Sequence, residues 1–254
     1  MAHPVPLSPQ QVERLARFDC PTIANALELL DPGWNRVSGL MAPRIRAVFP
    51  DMPTVVGYAC TVLYETRFPA REPWYADWPD YWAYVKSVPG PRIAVCQNTS
   101  ARPGEGSLWG EVQANIHRAL GCVGAVVEGS VRDLDGMRGV GFPCFAREVV
   151  VGHGFAHLVE FGHPVEAGDV LVKSGDLVCA DKHGVIVVRA EHAPGLADAC
   201  GKIVEAEKPL IAVCQDRAGF SVGTLAAAFE RFSQEYPVDK PGAIGEVNDA
   251  RAER

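Results

Sequence analysis

The hydrophobic pattern changes period most clearly around residue 107. Residues 92–97, RIAVCQ, have a continuous apolar centre, which predicts a short buried strand. The polar, glycine-containing run NTSARPGEGS (98–107) predicts a loop. LWGEVQANIHRAL then places Leu108, Val112, Ile116 and Leu120 at steps of four, which predicts a helix with one apolar face that ends at Gly121. GAVVEGS returns to a short apolar run. Strand, loop, helix and strand over 92–130 make a βαβ unit, most simply with parallel strands.

Other segments repeat this logic with different signals. Ser8 followed by Pro9 predicts a capped helix start, and Asp19 can cap a second helix carrying Ile23, Leu27 and Leu30. Residues 55–64 read as a strand. RFPAREPWYADWPDYW (67–82) mixes prolines with Trp74, Tyr75, Trp78, Tyr81 and Trp82. It reads as an irregular arm or lid, suited to a subunit contact, a pocket wall or ordinary packing. A short helix is expected over 82–88. PCFAREVVV reads as a strand. AGDVLV, SGDLVC and ADKHGVIVVR set Gly-Asp turns between valine-rich runs, which predicts antiparallel hairpins. Helices are expected over about 192–208 and 222–232, followed by a polar, frayed tail.

The economical reading is one α/β domain over 1–254 with two kinds of β-structure. Its core spans about 15–210, with an arm at 1–14 and a C-terminal helix and tail at 211–254. A chain of 254 residues can bury a core that needs no staples. A formal net charge of −7 argues against nucleic acid as partner, while leaving room for a local cationic pocket. No apolar run reaches the roughly 20 residues of a membrane span, so no membrane partner is expected. The N-terminus lacks the pattern of a signal peptide. Eight cysteines without a C-x-x-C pair read as buried, reduced thiols, and the expected location is the cytoplasm.

The chemistry concentrates where GAVVEGSVRD ends in Arg132 and Asp133. Two readings fit this pair. One is a surface ion pair. The other is a site at the carboxyl end of a strand, where open α/β sheets bind ligands. The backbone N–H groups of Ser107, Leu108 and Trp109, at the expected helix start, would suit a carboxylate. Arg132 offers a fixed donor fork for an oxyanion, and Asp133 a hard oxygen ligand of the kind Mg²⁺ uses beside waters. Together they could chelate a 2-oxo acid and stabilise its enolate. Glu111 and Glu128 lie nearby in sequence; either could line a site, and Glu128 equally reads as solvated. His153, His157 and His163 have zinc-like spacing only on a helix, and Gly152 and Gly154 argue for strand or turn instead. Lys173, Lys182, Lys202 and Lys208 sit in no desolvating run that would favour Schiff-base chemistry.

LWGE (108–111), GCVGAVVEGSVRD (121–133) and SGDLVCADKHGVIVV (174–188), together with PTIANALELL, resemble the RraA-like family over about 15–210. That family includes 4-hydroxy-4-methyl-2-oxoglutarate/4-carboxy-4-hydroxy-2-oxoadipate aldolases. The resemblance implies a swivelling β/β/α three-layer domain with an N-terminal helical segment and a C-terminal helical arm, assembled as a homotrimer or homohexamer. It implies a metal-dependent carbon–carbon lyase that acts on a small 2-oxo acid through a pyruvate enolate, by aldol cleavage or oxaloacetate decarboxylation. The implied cofactor is Mg²⁺, Mn²⁺ or another divalent cation. Arg132 would bind pyruvate, and Asp133 would ligate the metal. Backbone amides around Ser107, Leu108, Trp109 and Gly110 would hold the carboxylate. Glu207, or Glu205, would complete a neighbouring subunit's site. The chain departs from the family's aldolase pattern at Gly136, where an acid is common, and at Gln97, where aspartate is common. The family also contains a non-enzymatic, protein-binding regulator of ribonuclease activity, which is the alternative function.

Overall fold

The computed structural model describes residues 6–31, 38–71, 76–102 and 104–236. The chain divides into two compact units, one from 1–21 and 39–194, the other from 22–38 and 195–254. Trp74 and Tyr75 of the aromatic segment, and the tail from 237 onward, lie outside the described residues.

The first unit begins with α1 (Pro9–Leu15). Its start is the capping box that Ser8-Pro9 suggests: Gln11 N–H donates to Ser8 Oγ at 3.3 Å, and Ser8 N–H donates to Gln11 Oε1 at 2.8 Å. α2 (Cys20–Leu30) follows, with its first two residues in this unit and the rest in the second. Cys20 N–H donates across the fold to Asp181 Oδ2 at 2.8 Å, and His183 N–H donates to the other oxygen at 2.8 Å. The ADKHG stretch therefore ties a helix start to a hairpin. Desolvation pushes the Asp181 carboxyl up, but these hydrogen bonds outweigh it and hold the group below its usual range.

An eight-stranded sheet forms the centre. β2 (Val55–Glu65), β3 (Arg92–Asn98), β4 (Cys122–Val131) and β5 (Cys144–Val149) run parallel as neighbours. β1 (Arg46–Ala47) pairs antiparallel with β5. β6 (His157–Phe161) and β9 (Leu177–Asp181) pair antiparallel with β2, and β10 (Gly184–Val188) pairs with β9. The separate hairpin of β7 (Val165–Ala167) and β8 (Val170–Val172) turns at Gly168-Asp169, as the sequence suggests. Its Val165, Ala167 and Val172 pack on Ile93, Val95 and Val126. Each such fully buried valine or isoleucine contributes roughly 1.5–3 kcal/mol.

Side chains alternate along a strand, so Cys96 and Val127 face away from that hairpin. On their side lie α3 (Trp78–Ser87), α4 (Glu111–Ala119) and α5 (Leu134–Val140). Helix α3 starts four residues earlier than the pattern predicts, with Pro79 in its first turn. Much of the aromatic segment is thus packed helix. Tyr81 is fully buried, its ring near those of Tyr84, His117 and Phe161.

In the second unit, α6 (Ala193–Gln215) runs seven residues past the predicted end at 208, through Pro209. Pro209 lies on an exposed position, where water can take the carbonyl it leaves unpaired. α7 (Val222–Glu235) opens on a Ser221–Thr224 capping box. Of the eight free cysteines, seven are buried as the sequence suggests; Cys214 on α6 is exposed. Burial pushes the Cys96 and Cys144 thiols up, so neither is an activated nucleophile. Among the described residues, no helix is long and apolar enough to cross a membrane.

Candidate functional site

The parallel strands end together, and the polar loop 98–110 crosses there. Hydrogen bonds within the polar run fix its path. Asn98 Nδ2 donates to Thr66 Oγ1 at 3.0 Å, Ser100 N–H donates to Asn98 Oδ1 at 2.9 Å, and the Ser100 hydroxyl bonds Glu65. Glu65 also accepts the N–H groups of Thr66 and Arg67 at 2.8 and 2.6 Å. These donors outweigh desolvation and hold its carboxyl below the usual range. This network at the ends of β2 and β3 was not anticipated; the run of small polar residues after Gln97 is its sequence signal.

Ser107 completes the loop. Trp109 N–H donates to Ser107 Oγ at 3.0 Å, and that oxygen lies 2.7 Å from the carbonyls of both Trp109 and Ser130. Ser107 N–H donates to the Gly152 carbonyl at 3.2 Å. The amides of Ser107 and Trp109 are therefore occupied, contrary to the expectation that they stand free. The hydroxyl turn also delays the helix: α4 begins at Glu111, with Gly110 as its N-cap. The unpaired first-turn amides consequently belong to residues just after Trp109.

Trp109 itself is a core anchor. It is 1% exposed, and its indole Nε1–H points to Cys96 Sγ at 3.2 Å. Its ring lies 4.5 Å, centroid to centroid, from that of buried His117. Burial drives the His117 imidazole down to about 4, against the opposing effect of its bond to a backbone carbonyl. The ring is thus neutral at pH 7. The Gln113 carbonyl, 2.8 Å from Nδ1, can only accept, so Nδ1 carries the proton and Nε2 accepts from the Tyr81 hydroxyl at 2.8 Å. This packing corrects the expected apolar face of α4. Ala114 and His117 are the buried positions, whereas Val112 is 68% exposed. Trp109 fills the space beneath the helix that the four-residue stripe was expected to fill.

Arg132 and Asp133 leave the end of β4 beside this loop. Val131 bridges Trp109 on one side and pairs with Val149 on the other. Arg132 N–H donates to the Trp109 carbonyl at 3.0 Å. The guanidinium Nε and Asp133 Oδ2 are 3.7 Å apart, too far for a hydrogen bond, and the side chains are 35% and 40% exposed. Neither group is consumed by the other. Asp133 has φ 54° and ψ 46°, left-handed backbone that costs a non-glycine residue about 1 kcal/mol or more. It precedes α5 but does not cap it with its side chain. Its carboxylate lies instead against Gly110, where a Cβ would stand 2.4 Å from Oδ2. Thus Arg132, Asp133 and the start of α4 converge. Glu111 joins from the first turn of α4: its carboxylate covers Gly136 and occupies the space a side chain at 136 would need.

Glu128 does not join them. It is buried and paired, not solvated. Its carboxylate meets Arg147 Nη1 at 2.9 Å and Arg44 Nε at 3.3 Å, and accepts Gly168 N–H at 2.7 Å. It thereby fastens the β7–β8 hairpin to the sheet. Gln97 does similar work, its Oε1 accepting Glu166 N–H at 2.8 Å. His157 begins a strand, as its flanking glycines suggested, and the described residues contain no group of three His, Cys, Asp or Glu placed to cage a metal. Glu205 and Glu207 stand on α6 in the second unit, with Glu205 paired to Lys208. A single carboxylate with waters is an ordinary seat for Mg²⁺, and the Asp133 side chain, 40% exposed and with Arg132 Nε no nearer than 3.7 Å, fits that mode.

Comparison with known proteins gives the fold its relatives. The fold matches a solved protein from Pseudomonas syringae with a TM-score of 0.70 at 21% identity, covering 91% of this chain and 97% of that one. RraAS2 of Streptomyces coelicolor, described as an unusual member of the RNase ES inhibitor RraA family, matches with a TM-score of 0.62 at 26% identity, covering 80% and 97%. A putative 4-hydroxy-4-methyl-2-oxoglutarate aldolase of Halalkalibacterium halodurans is 29% identical over 83 residues, which is 32% of this chain and 40% of that protein. The family model described as Aldolase/RraA matches residues 22–187, and the chain belongs to the RraA-like family.

Proposed function

We propose that this protein is a divalent-metal-dependent carbon–carbon lyase that acts on a 2-oxo acid through a pyruvate enolate, by aldol cleavage or oxaloacetate decarboxylation. The observation that carries the reading is the convergence of Arg132, Asp133 and the start of α4 at the end of β4. A family that holds both aldolases and ribonuclease inhibitors admits either role. A half-buried arginine fork beside an exposed carboxylate that is held in left-handed backbone favours chemistry.

In this reading Asp133 holds Mg²⁺ or Mn²⁺, and the bound cation supplies Lewis acidity toward the 2-oxo group. The first-turn amides of α4, beginning at Gly110, receive the substrate carboxylate, aided by the positive end of the helix. That role passes to them from Ser107 and Trp109, whose amides are taken. Arg132 donates its fork to the oxygen on which enolate charge develops. A fixed donor that needs no reorganisation stabilises that charge more than water does. Glu205 or Glu207 of a neighbouring copy in a trimer or hexamer would add the remaining acid.

Oxaloacetate decarboxylation tests the reading. The protein stripped with EDTA should be inactive and regain turnover with Mg²⁺ or Mn²⁺, and borohydride with pyruvate should leave it active. Full activity in chelator, or inactivation by borohydride only when pyruvate is present, would assign Schiff-base chemistry instead. No turnover with any divalent cation would favour the protein-binding regulator.

A further inference from the structure

Gly110 has φ −162° and ψ −164°, extended backbone that any residue adopts. Backbone freedom therefore does not explain a glycine here. Helix capping permits glycine at an N-cap but does not require it, since Ser, Asp or Asn would serve there slightly better. Space does explain it. A Cβ at 110 would stand 2.4 Å from Asp133 Oδ2, 3.2 Å from its Cγ and 3.4 Å from Arg132 Cγ.

We infer that Gly110 is a positioning residue: its missing side chain fixes where the Asp133 carboxylate sits. The inference rests on the reading of Asp133 as the metal ligand. The conflict a side chain would create is with the end of the Asp133 side chain, not with backbone. A substitution should therefore move the carboxylate and leave the fold alone. Asp133 cannot evade the conflict freely, because its left-handed backbone is fixed between β4 and α5. Arg132, anchored by its N–H to the Trp109 carbonyl, closes another side.

The test compares Gly110→Ser and Gly110→Ala with Gly139→Ala, a change on α5 where an added Cβ meets nothing within 4 Å. Serine gives α4 an ordinary capping side chain, so a loss of binding cannot be blamed on a frayed helix. Mn²⁺ affinity by calorimetry should fall by about 10-fold or more in both Gly110 variants, the size of effect seen when a ligand's supporting partners are changed. It should stay unchanged in Gly139→Ala, and melting temperatures should match the parent protein. Crystal structures of the Gly110 variants should show the Asp133 carboxylate displaced. Parent-like Mn²⁺ affinity in both variants, or an unmoved carboxylate, would overturn the inference. If the parent protein takes up no Mn²⁺ but the variants still displace Asp133, the positioning role stands and the metal reading falls.

Discussion

Arg132→Ala should lose about 10²-fold or more of turnover on any substrate the parent protein converts, with its melting temperature preserved. The Arg132 side chain is 35% exposed and its Nε lies 3.7 Å from Asp133 Oδ2, so removing it breaks no buried pair. Its backbone N–H, which holds the strand end to Trp109, remains. Arg132→Lys should fall nearly as far, because an ammonium supplies a mobile point charge where the enolate oxygen needs a fixed fork. Steady-state kinetics beside a thermal melt checks both halves. Near-parent rates in the alanine variant would reduce the Arg132–Asp133 pair to a surface contact worth at most about 1 kcal/mol.

Glu128→Ala should act in the opposite way, costing stability. Its carboxylate is buried and bonds Arg44, Arg147 and Gly168 N–H together. Breaking a buried charge pair from one side typically costs about 3–5 kcal/mol. Arg44 and Arg147 keep about a third of their side-chain exposure, and Arg44 keeps Asp169 at 2.6 Å, so the lower end, about 3 kcal/mol, is expected. For a protein of this size that lowers the melting temperature by roughly 6–12 °C. Glu128→Gln, which still offers an acceptor to Gly168, should lose less. An alanine variant that melts with the parent protein would show that the hairpin is held by apolar packing alone.

These two residues show what the chain's pattern does and does not disclose. The βαβ unit was legible because its strands are buried on both sides and read as unbroken apolar runs, with a helix-period stretch between them. Arg132 and Asp133 were legible as candidates because two adjacent charges end such a run. Glu128 sits one residue beyond Val127 in the same strand, and a local reading treats it as solvated. Its partners Arg44, Arg147 and Gly168 come from segments up to 84 residues away, so only the tertiary structure reveals the pairing.

The start of α4 shows a second limit. Leu108, Val112, Ile116 and Leu120 form a plausible stripe, yet the helix begins at Glu111 and leaves Val112 in solvent. The Ser107 hydroxyl competes for the Trp109 amide, and Trp109 fills the volume beneath the helix. A serine two residues before a tryptophan does not announce this, since the outcome depends on the Ser130 carbonyl arriving from β4. Gly110 illustrates a third limit. A glycine ahead of a helix reads as an ordinary boundary, and only the position of Asp133 Oδ2 gives it another purpose.

The most direct measurement is a crystal structure of the protein soaked with pyruvate and Mn²⁺, with data collected to reveal the metal's anomalous signal. The account predicts an anomalous peak within ligand distance of the Asp133 carboxylate, with the pyruvate carboxylate at the first-turn amides of α4 and the 2-oxo oxygen on the Arg132 fork. Manganese bound elsewhere with Asp133 uncoordinated, or pyruvate seated away from Arg132, would contradict it.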